Sequence, residues 1–467
     1  MSGLLESHPF VAQRVPGDLR LVAVTDEGLG NTSWVLDLGG HAVVVDPERD
    51  PAPYEAIADR LGAEIAYTAD THLHADFITG SPELAASGAA ALASEAGDLR
   101  WDHHGLGAGD GVVLGDWQLR ALATPGHTPE HLAFLLEGPA GPRAVFTGGS
   151  LLVGAVARTD LTDPADTEGL TRALWRSIQS EILSLPDHVL VLPTHGAGSF
   201  CSAAGGAQRW STVGDERRAN PLFSAADEDS FVHQVLAGLG SYPPYFLRLR
   251  EVNRLGPAVL GALPALRRLS AEEVGAHRQR GALIVDVRSF TSFSAGHVAG
   301  SLANTLRPQF GSWLGWIVPD LATPLLFVAD DHTDRREVVR QCLNLGYENL
   351  IGELAGGIAA WSAAGGEVAT NPVVDPGQVG RRAVLDIRLR KEFDGGHIPG
   401  AAHVELGDLS DSLADLPAGP LVVMCGHGER AATAASILEA AGRDDVAVLA
   451  GGPGDWVAAT GEPLVVE

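Results

Sequence analysis

Two groups of residues in this chain have the types and spacing to do chemistry. The run Thr71-His72-Leu73-His74-Ala75-Asp76-Phe77 is followed far downstream by Thr124-Pro125-Gly126-His127 and by Pro193-Thr194-His195-Gly196. Near the other end lies Cys425-Gly426-His427-Gly428-Glu429-Arg430. His72 and His74 stand two apart, so in an extended segment they face one side. Imidazole suits zinc, iron and other borderline metals. Any one of these histidines alone would read as a surface or hydrogen-bonded core residue. A His-x-His-x-Asp run with two further histidines, each in a glycine-bearing loop, reads instead as a metal site. Its candidates are His72, His74, Asp76, His127 and His195. His103, His104 and His188 lack such companions and read as surface or capping residues.

The cysteine run implies a different chemistry. Cys425 follows the apolar segment Leu421-Val422-Val423-Met424 and precedes an alanine-rich helical stretch starting near Arg430. Successive backbone N–H groups from Gly426 through His427, Gly428 and Glu429 to Arg430 would curl around the sulfur. Such a nest, placed at a helix start, stabilises a negative charge. A thiolate there is a nucleophile. Gly426 and Gly428 permit the tight curl, and Arg430 adds positive charge at the rim.

These residues need elements to aim them. Alternating patterns predict strands over residues 31–37, 41–46, 111–123, 131–136 and 144–147. Helical patterns cover 52–61, 82–89, 167–185 and 227–236. Every candidate ligand follows a strand, where a rigid scaffold can converge several loops on one point. The last 200 residues contain a repeat. Leu283-Ile284-Val285-Asp286-Val287-Arg288 returns as Ala383-Val384-Leu385-Asp386-Ile387-Arg388, and Phe293 to Gly300 returns as Phe393 to Gly400. Leu354-Ala355-Gly356-Gly357 with Trp361 returns as Leu449-Ala450-Gly451-Gly452 with Trp456. Strands alternating with helical stretches predict a parallel α/β sheet in each copy. Thr370-Asn371-Pro372 reads as the linker between them. The recurring Asp286, His297, Asp386 and His397 read as architectural, holding turns by side-chain to backbone bonds.

A chain of 467 residues needs more than one core. Its formal net charge of −27 argues against nucleic acid and anionic membranes, which require a basic footprint. The first twenty residues show no apolar leader, and no uninterrupted apolar run reaches spanning length. Three cysteines far apart (Cys201, Cys342, Cys425) predict reduced thiols in a cytoplasmic protein.

The histidine motifs, with Phe146-Thr147-Gly148, resemble the metallo-β-lactamase superfamily. The continuation to Thr79-Gly80 and Arg158-Thr159-Asp160 is most similar to its persulfide dioxygenase branch, over roughly residues 10–260. The resemblance implies one mononuclear iron held by two histidines and an aspartate, on which a thiol persulfide and oxygen yield sulfite. It maps the histidines onto His72 and His127 and the aspartate onto the position after Gly148, where this chain has Gly149. Phe77 stands where relatives have a histidine, which removes a ligand of a second metal. This argues against two-metal hydrolase chemistry of the glyoxalase II type. His74 or Asp76 could complete the set around Fe(II), or zinc. The resemblance also implies a sulfur-carrying role for Cys201 beside the metal, with Arg158 at the substrate pocket and dimers or tetramers formed through this domain.

The two repeats resemble rhodanese sulfurtransferase domains, with Asp-x-Arg, Gly-His-x-x-Gly, a Cys-x4-Arg loop and a closing Gly-Gly-x3-Trp. Cys-x4-Arg makes a ring sized for one sulfur, whereas phosphatases have one residue more. The first repeat lacks the cysteine. Asp330 stands near its place, and Cys342 lies too far along, so this copy is expected to be inactive.

The expected architecture is a metallo-β-lactamase αββα sandwich over residues 1–262, an inactive rhodanese-like α/β domain over 263–369 and a competent one over 370–467. The expected function is oxidation of a low-molecular-weight thiol persulfide to sulfite, coupled to sulfane-sulfur transfer on Cys425, with thiosulfate or sulfite as partner. The alternatives are a sulfurtransferase whose first domain has lost oxidation through Gly149, and a non-catalytic, sulfide-responsive binding protein.

Overall fold

The computed structural model describes residues 11–15, 17–201, 208–225 and 227–466. The N-terminal stretch read above for a leader lies outside them through residue 10. The chain divides into one compact unit that runs to Leu263 and includes Leu343–Gly346, and a second over Pro264–Cys342 and Tyr347–Glu467.

In the first unit, period-two alternation builds two facing sheets. One has seven strands in sequence order, from Val11–Arg14 through Arg20–Asp26, Asn31–Asp37, His41–Val45, Glu64–Ala69 and Ala90–Ser94 to His104–Leu106. Its first four strands pair antiparallel and the rest parallel. The other has six strands, ordered Ser211–Thr212, Leu190–Pro193, Gly141–Gly148, Leu132–Gly138, Trp117–Ala123 and Gly111–Leu114. The stretch expected as one strand over 111–123 is thus a hairpin.

Alternate residues decide the layers. Leu21, Trp34, Leu36, Val43 and Val45 from one sheet meet Leu119, Phe134, Leu136 and Phe146 from the other in a shared core. The opposite faces are covered by helices. Val22, Val35 and Val44 pack on Tyr54, Ile57 and Leu84 of Ala52–Leu61 and Ser81–Ala86. Ala133, Leu135 and Val145 pack on Leu174, Ile178 and Phe231. The result is an αββα sandwich, the arrangement expected. Each large apolar side chain buried this way contributes roughly 1.5–3 kcal/mol. The helix expected over 167–185 is α-helical only over Thr167–Ser177 and continues as a π-turn over Ile178–Ile182.

The second unit holds two parallel five-stranded sheets with equivalent orders. In the first, Leu325–Val328 lies between Leu350–Leu354 and Leu283–Asp286. In the second, Leu421–Met424 lies between Val446–Leu449 and Ala383–Asp386. The recurring residues hold the copies in the same way. Asp286 pairs with Arg288, which donates to the carbonyl of Gly296; Asp386, Arg388 and Gly396 repeat this. His297 and His397 each bond through Nδ1 to the carbonyl four residues earlier and stack on that residue's ring at 3.7 Å. Thr370-Asn371-Pro372 is less free than a linker, because the Asn371 N–H donates to the Ser294 carbonyl and the Pro372 carbonyl accepts from Val448. Among the described residues no helix is long and apolar enough to cross a membrane.

Candidate functional site

The histidines gather at one edge of the sandwich, on loops that leave the strand ends. His72 and His74 follow Glu64–Ala69, His127 lies between the antiparallel strands Trp117–Ala123 and Leu132–Gly138, and His195 follows Leu190–Pro193. All are buried. Gly126 is required in the His127 loop: its φ is +153°, and a Cβ there would lie 2.6 Å from Leu174 Cα.

Each imidazole has one nitrogen tied down. The Thr71 hydroxyl donates to Asp46 and so accepts from His72 Nδ1 at 2.8 Å. His127 Nδ1 donates to the Arg158 carbonyl at 2.6 Å, and His195 Nδ1 to Asn31 Oδ1 at 2.9 Å. In all three, Nε2 is left as a lone-pair donor. His74 is tied the other way round, with Nε2 3.2 Å from Asp46 Oδ1 and a buried Nδ1 that has no hydrogen-bond partner. Fixing one ring nitrogen so that the other can ligate is how metal-binding histidines are oriented. His72 Nε2 and His195 Nε2 stand 3.3 Å apart. Ligand atoms of His72, His74 and His195 lie within 4.8 Å of one another, as do those of His127, His195 and Cys201. The rings of His72, His127 and His195 meet pairwise at 70–74° with centroids 4.8–5.4 Å apart.

The electrostatics follow from burial. It drives His72 well below the usual histidine range, and His127 and His195 to about 3, with neighbouring imidazoles adding to the effect. These are neutral, lone-pair-bearing rings. His74 goes the other way, because Asp46 outweighs its burial. Asp46 is the hub that the sequence did not reveal. It is fully buried with φ +50°, and it accepts from the Thr71 N–H and hydroxyl, from His74 and from the Thr194 hydroxyl. Like the candidate ligands it sits at a strand end, and that was the one signal available. His131 was also missed. Its Nδ1 meets Thr124 Oγ1 and its Nε2 accepts from the Gly149 N–H at 3.0 Å, so neither nitrogen is free to ligate.

The two departures have structural counterparts. A Cβ on Gly149 would fall 2.2 Å from His127 Cδ2, so the His127 ring already occupies the start of any side chain there. Phe77 is fully buried and stacks on His74 at 4.2 Å, so hydrocarbon stands where the resemblance expects a histidine ligand. A two-histidine, one-carboxylate set using residue 149 is therefore not present. The ligand atoms of His72, His74 and His195 are close enough to share one ion, as are those of His127, His195 and Cys201, and Asp76 offers a buried, unpartnered Oδ1.

Two expected site residues stand differently. The Arg158 guanidinium is already engaged within the protein. It forms a two-bond pair with Asp160, donates to the carbonyls of Phe200 and Gly240, and lies 4.3 Å from the Tyr242 ring. Arg158 contributes the carbonyl that orients His127. Cys201 is beside the histidines but fully buried, and burial, followed by Asp76, pushes its thiol well up. That favours the neutral thiol over the thiolate a sulfur carrier needs. His103 and His188 instead bond to the carbonyls of Trp101 and Pro142, away from this cluster.

The second candidate centre is Cys425. It leaves the buried strand Leu421–Met424 and precedes the helix Glu429–Ala440. The Gly428 N–H donates to Sγ at 3.1 Å, with Gly428 at φ +117°. His427 is exposed, and Gly426 and Glu429 are partly buried. A Cβ on Gly452 would fall 2.3 Å from the Gly426 carbonyl oxygen, so that glycine lets the loop close. Arg430 is not a bare positive charge: both of its terminal nitrogens bind Glu392, at 2.7 and 2.8 Å. In the first copy, strand register corrects the expected alignment. Asp386 pairs with Met424 and Asp286 with Val328, so the residue opposite Cys425 is Ala329, not Asp330. Asp330 instead accepts from its own loop, at His332 N and Thr333 Oγ1.

The rhodanese-like domain family model matches residues 270–364 and 373–459. The chain is 32% identical over 191 residues to the mitochondrial persulfide dioxygenase ETHE1 of Homo sapiens, covering 40% of this chain and 68% of that protein. It is 29% identical over 222 residues to a hydroxyacylglutathione hydrolase of Acidiphilium cryptum, covering 43% of this chain and 88% of the relative. Among solved structures, a metallo-β-lactamase from Staphylococcus aureus superposes with a TM-score of 0.63 at 26% identity, over 72% of this chain and 99% of that one.

Proposed function

The chain belongs to the persulfide dioxygenase family, with a metallo-β-lactamase fold joined to rhodanese-like domains, and from that premise we propose how its own residues divide the work. The first unit oxidises the outer sulfur of a low-molecular-weight thiol persulfide to sulfite at a single metal. The second transfers sulfane sulfur on Cys425. The observation that carries this reading is the set of four buried imidazoles, each with one nitrogen anchored, whose ligand atoms form two triads that share His195.

His72, His74, His127 and His195 would hold the metal, with Asp76 beside them. Fe(II) is the ion that fits the reaction, because it supplies oxygen binding and electron transfer; zinc, without redox chemistry, would supply binding alone. The rest is done by the protein. Asp46 and Thr71 fix His72 and His74, the Arg158 carbonyl fixes His127 and Asn31 fixes His195. Phe77 keeps a second cation out, which sets this site apart from a two-metal thioester hydrolase. In net terms, one persulfide, one dioxygen and one water give one thiol, one sulfite and two protons.

On Cys425 the thiolate attacks a sulfane sulfur, the bond to that sulfur's partner breaks, and the electron pair leaves with the partner. Run in reverse, the Cys425 persulfide and sulfite give thiosulfate and the free thiolate. The three free cysteines fit a reducing, cytoplasmic setting. Gly149 favours a second reading, in which the first unit binds persulfide without oxidising it and only the transfer on Cys425 remains.

Sulfite and thiosulfate quantified from glutathione persulfide in air separate the two. Thiosulfate from the native chain, replaced by sulfite in Cys425→Ser, supports the full reading. Oxygen-independent transfer with no sulfite from iron-loaded protein leaves the second.

A further inference from the structure

The first rhodanese-like copy has no nucleophile, yet it builds one wall of the Cys425 site. The Phe290 ring packs so closely on the cysteine loop that a Cβ on Gly428 would fall 2.8 Å from it. The Trp313 ring lies 5.3 Å from the Arg430 guanidinium. Between these residues in sequence stands Arg307, partly buried. Its main chain is held at the start of the Trp313 helix, where its carbonyl accepts from the Phe310 N–H and the Gln341 amide.

The charges around the sulfur are unequal in their availability. Arg430, the cation within the loop itself, is neutralised by its two bonds to Glu392. The Arg307 guanidinium makes no hydrogen bond or ion pair among the described residues. It stands within electrostatic reach of Glu429, Arg430 and Cys425. A partly desolvated guanidinium without a hydrogen-bonded partner is an anion receptor, and its fork matches two oxygens at once.

We propose that Arg307, supplied by the inactive copy, is the anion-binding group of the Cys425 site and takes the trioxosulfur end of thiosulfate, or sulfite in the reverse direction. This rests on Cys425 as the transfer nucleophile. The thiolate attacks the sulfane sulfur of thiosulfate and the sulfur–sulfur bond breaks. The bonding pair leaves with sulfite, held by Arg307, and the Cys425 persulfide keeps one negative charge. No oxidant or reductant is consumed. The proposal gives the first copy a reason to be present without a nucleophile: it is a specificity wall for its partner copy.

The test uses the full chain and two sulfur donors to cyanide, thiosulfate and glutathione persulfide. Arg307→Met is expected to raise the thiosulfate KM about tenfold or more, the worth of one charge-assisted hydrogen bond. Its kcat with thiosulfate, and its KM for glutathione persulfide, should stay within about threefold. Arg307→Lys, which keeps the charge, should recover part of the thiosulfate KM. A thiosulfate KM unchanged in Arg307→Met overturns the proposal. So does an equal loss with both donors, which marks a structural role. Full repair of Arg307→Met by Glu429→Gln would also overturn it, since Arg307 would then only balance Glu429. If Cys425→Ser leaves transfer intact in both assays, the nucleophile reading itself falls, and this proposal with it.

Discussion

Asp46 determines what His74 can do. A buried imidazole with its Nε2–H on a carboxylate presents a basic Nδ1, and that atom has no partner in the protein. Asp46→Asn is expected to weaken metal binding about tenfold to a hundredfold, read by competition with a chromophoric chelator. Asp70 carries a different signature. Burial raises its carboxyl from 3.8 to about 6. A carboxyl raised on folding contributes most to stability below its unfolded value and loses that contribution as pH rises through the folded one. Metal-free protein should therefore lose stability on the order of 2–3 kcal/mol from this group between about pH 4 and 6. Asp70→Asn should remove that component from denaturant titrations run across the window.

At this scale the sequence was partly legible. The four imidazoles stood out because their spacing, in loops that carry glycine, suits ligation far better than surface or core duty. Asp46 did not, because its role arises only when Val45 pairs with Ala69 and brings Thr71 under it. Arg158, placed at the substrate pocket by the resemblance, has its guanidinium held by Asp160 and two distant carbonyls, which no local pattern shows.

Among the elements, the helix Phe246–Leu255 does the most for the ligand loop. Its Asn253 amide donates to the carbonyls of His74 and Phe77 and accepts from the Thr79 N–H. The helix escaped sequence reading because arginines at 248, 250 and 254 interrupt a narrow apolar stripe. Asn253→Ala leaves three buried backbone groups unpaired. It should cost roughly 2–4 kcal/mol in urea unfolding and loosen the metal, whereas a surface substitution such as Arg248→Ala should do neither. The strands were more legible, since both faces of each sheet meet apolar layers and short apolar runs bounded by turn residues mark them. The exception was the loop of the first rhodanese-like copy. It spans residues 329–334 against 425–428 in the second. Counting back from Arg335 therefore lands on Asp330, while strand register lands on Ala329.

For the whole molecule, the internal repeat and the change of pattern near residue 260 made the order of folds visible before any coordinates. What no local pattern could show is that aromatic rings of the first repeat pack against the cysteine loop of the second. The strongly acidic chain, at −27, fits small anionic substrates only where cations are placed singly and deliberately, as the metal and Arg307 would be.

The central claim is that four anchored imidazoles support persulfide oxidation although glycine stands at position 149. The oxygen-electrode trace of ferrous-loaded protein given glutathione persulfide tests it most directly. One oxygen is expected to be consumed for each persulfide oxidised, and none in His127→Ala. Protein carrying one iron per chain that consumes no oxygen would contradict it.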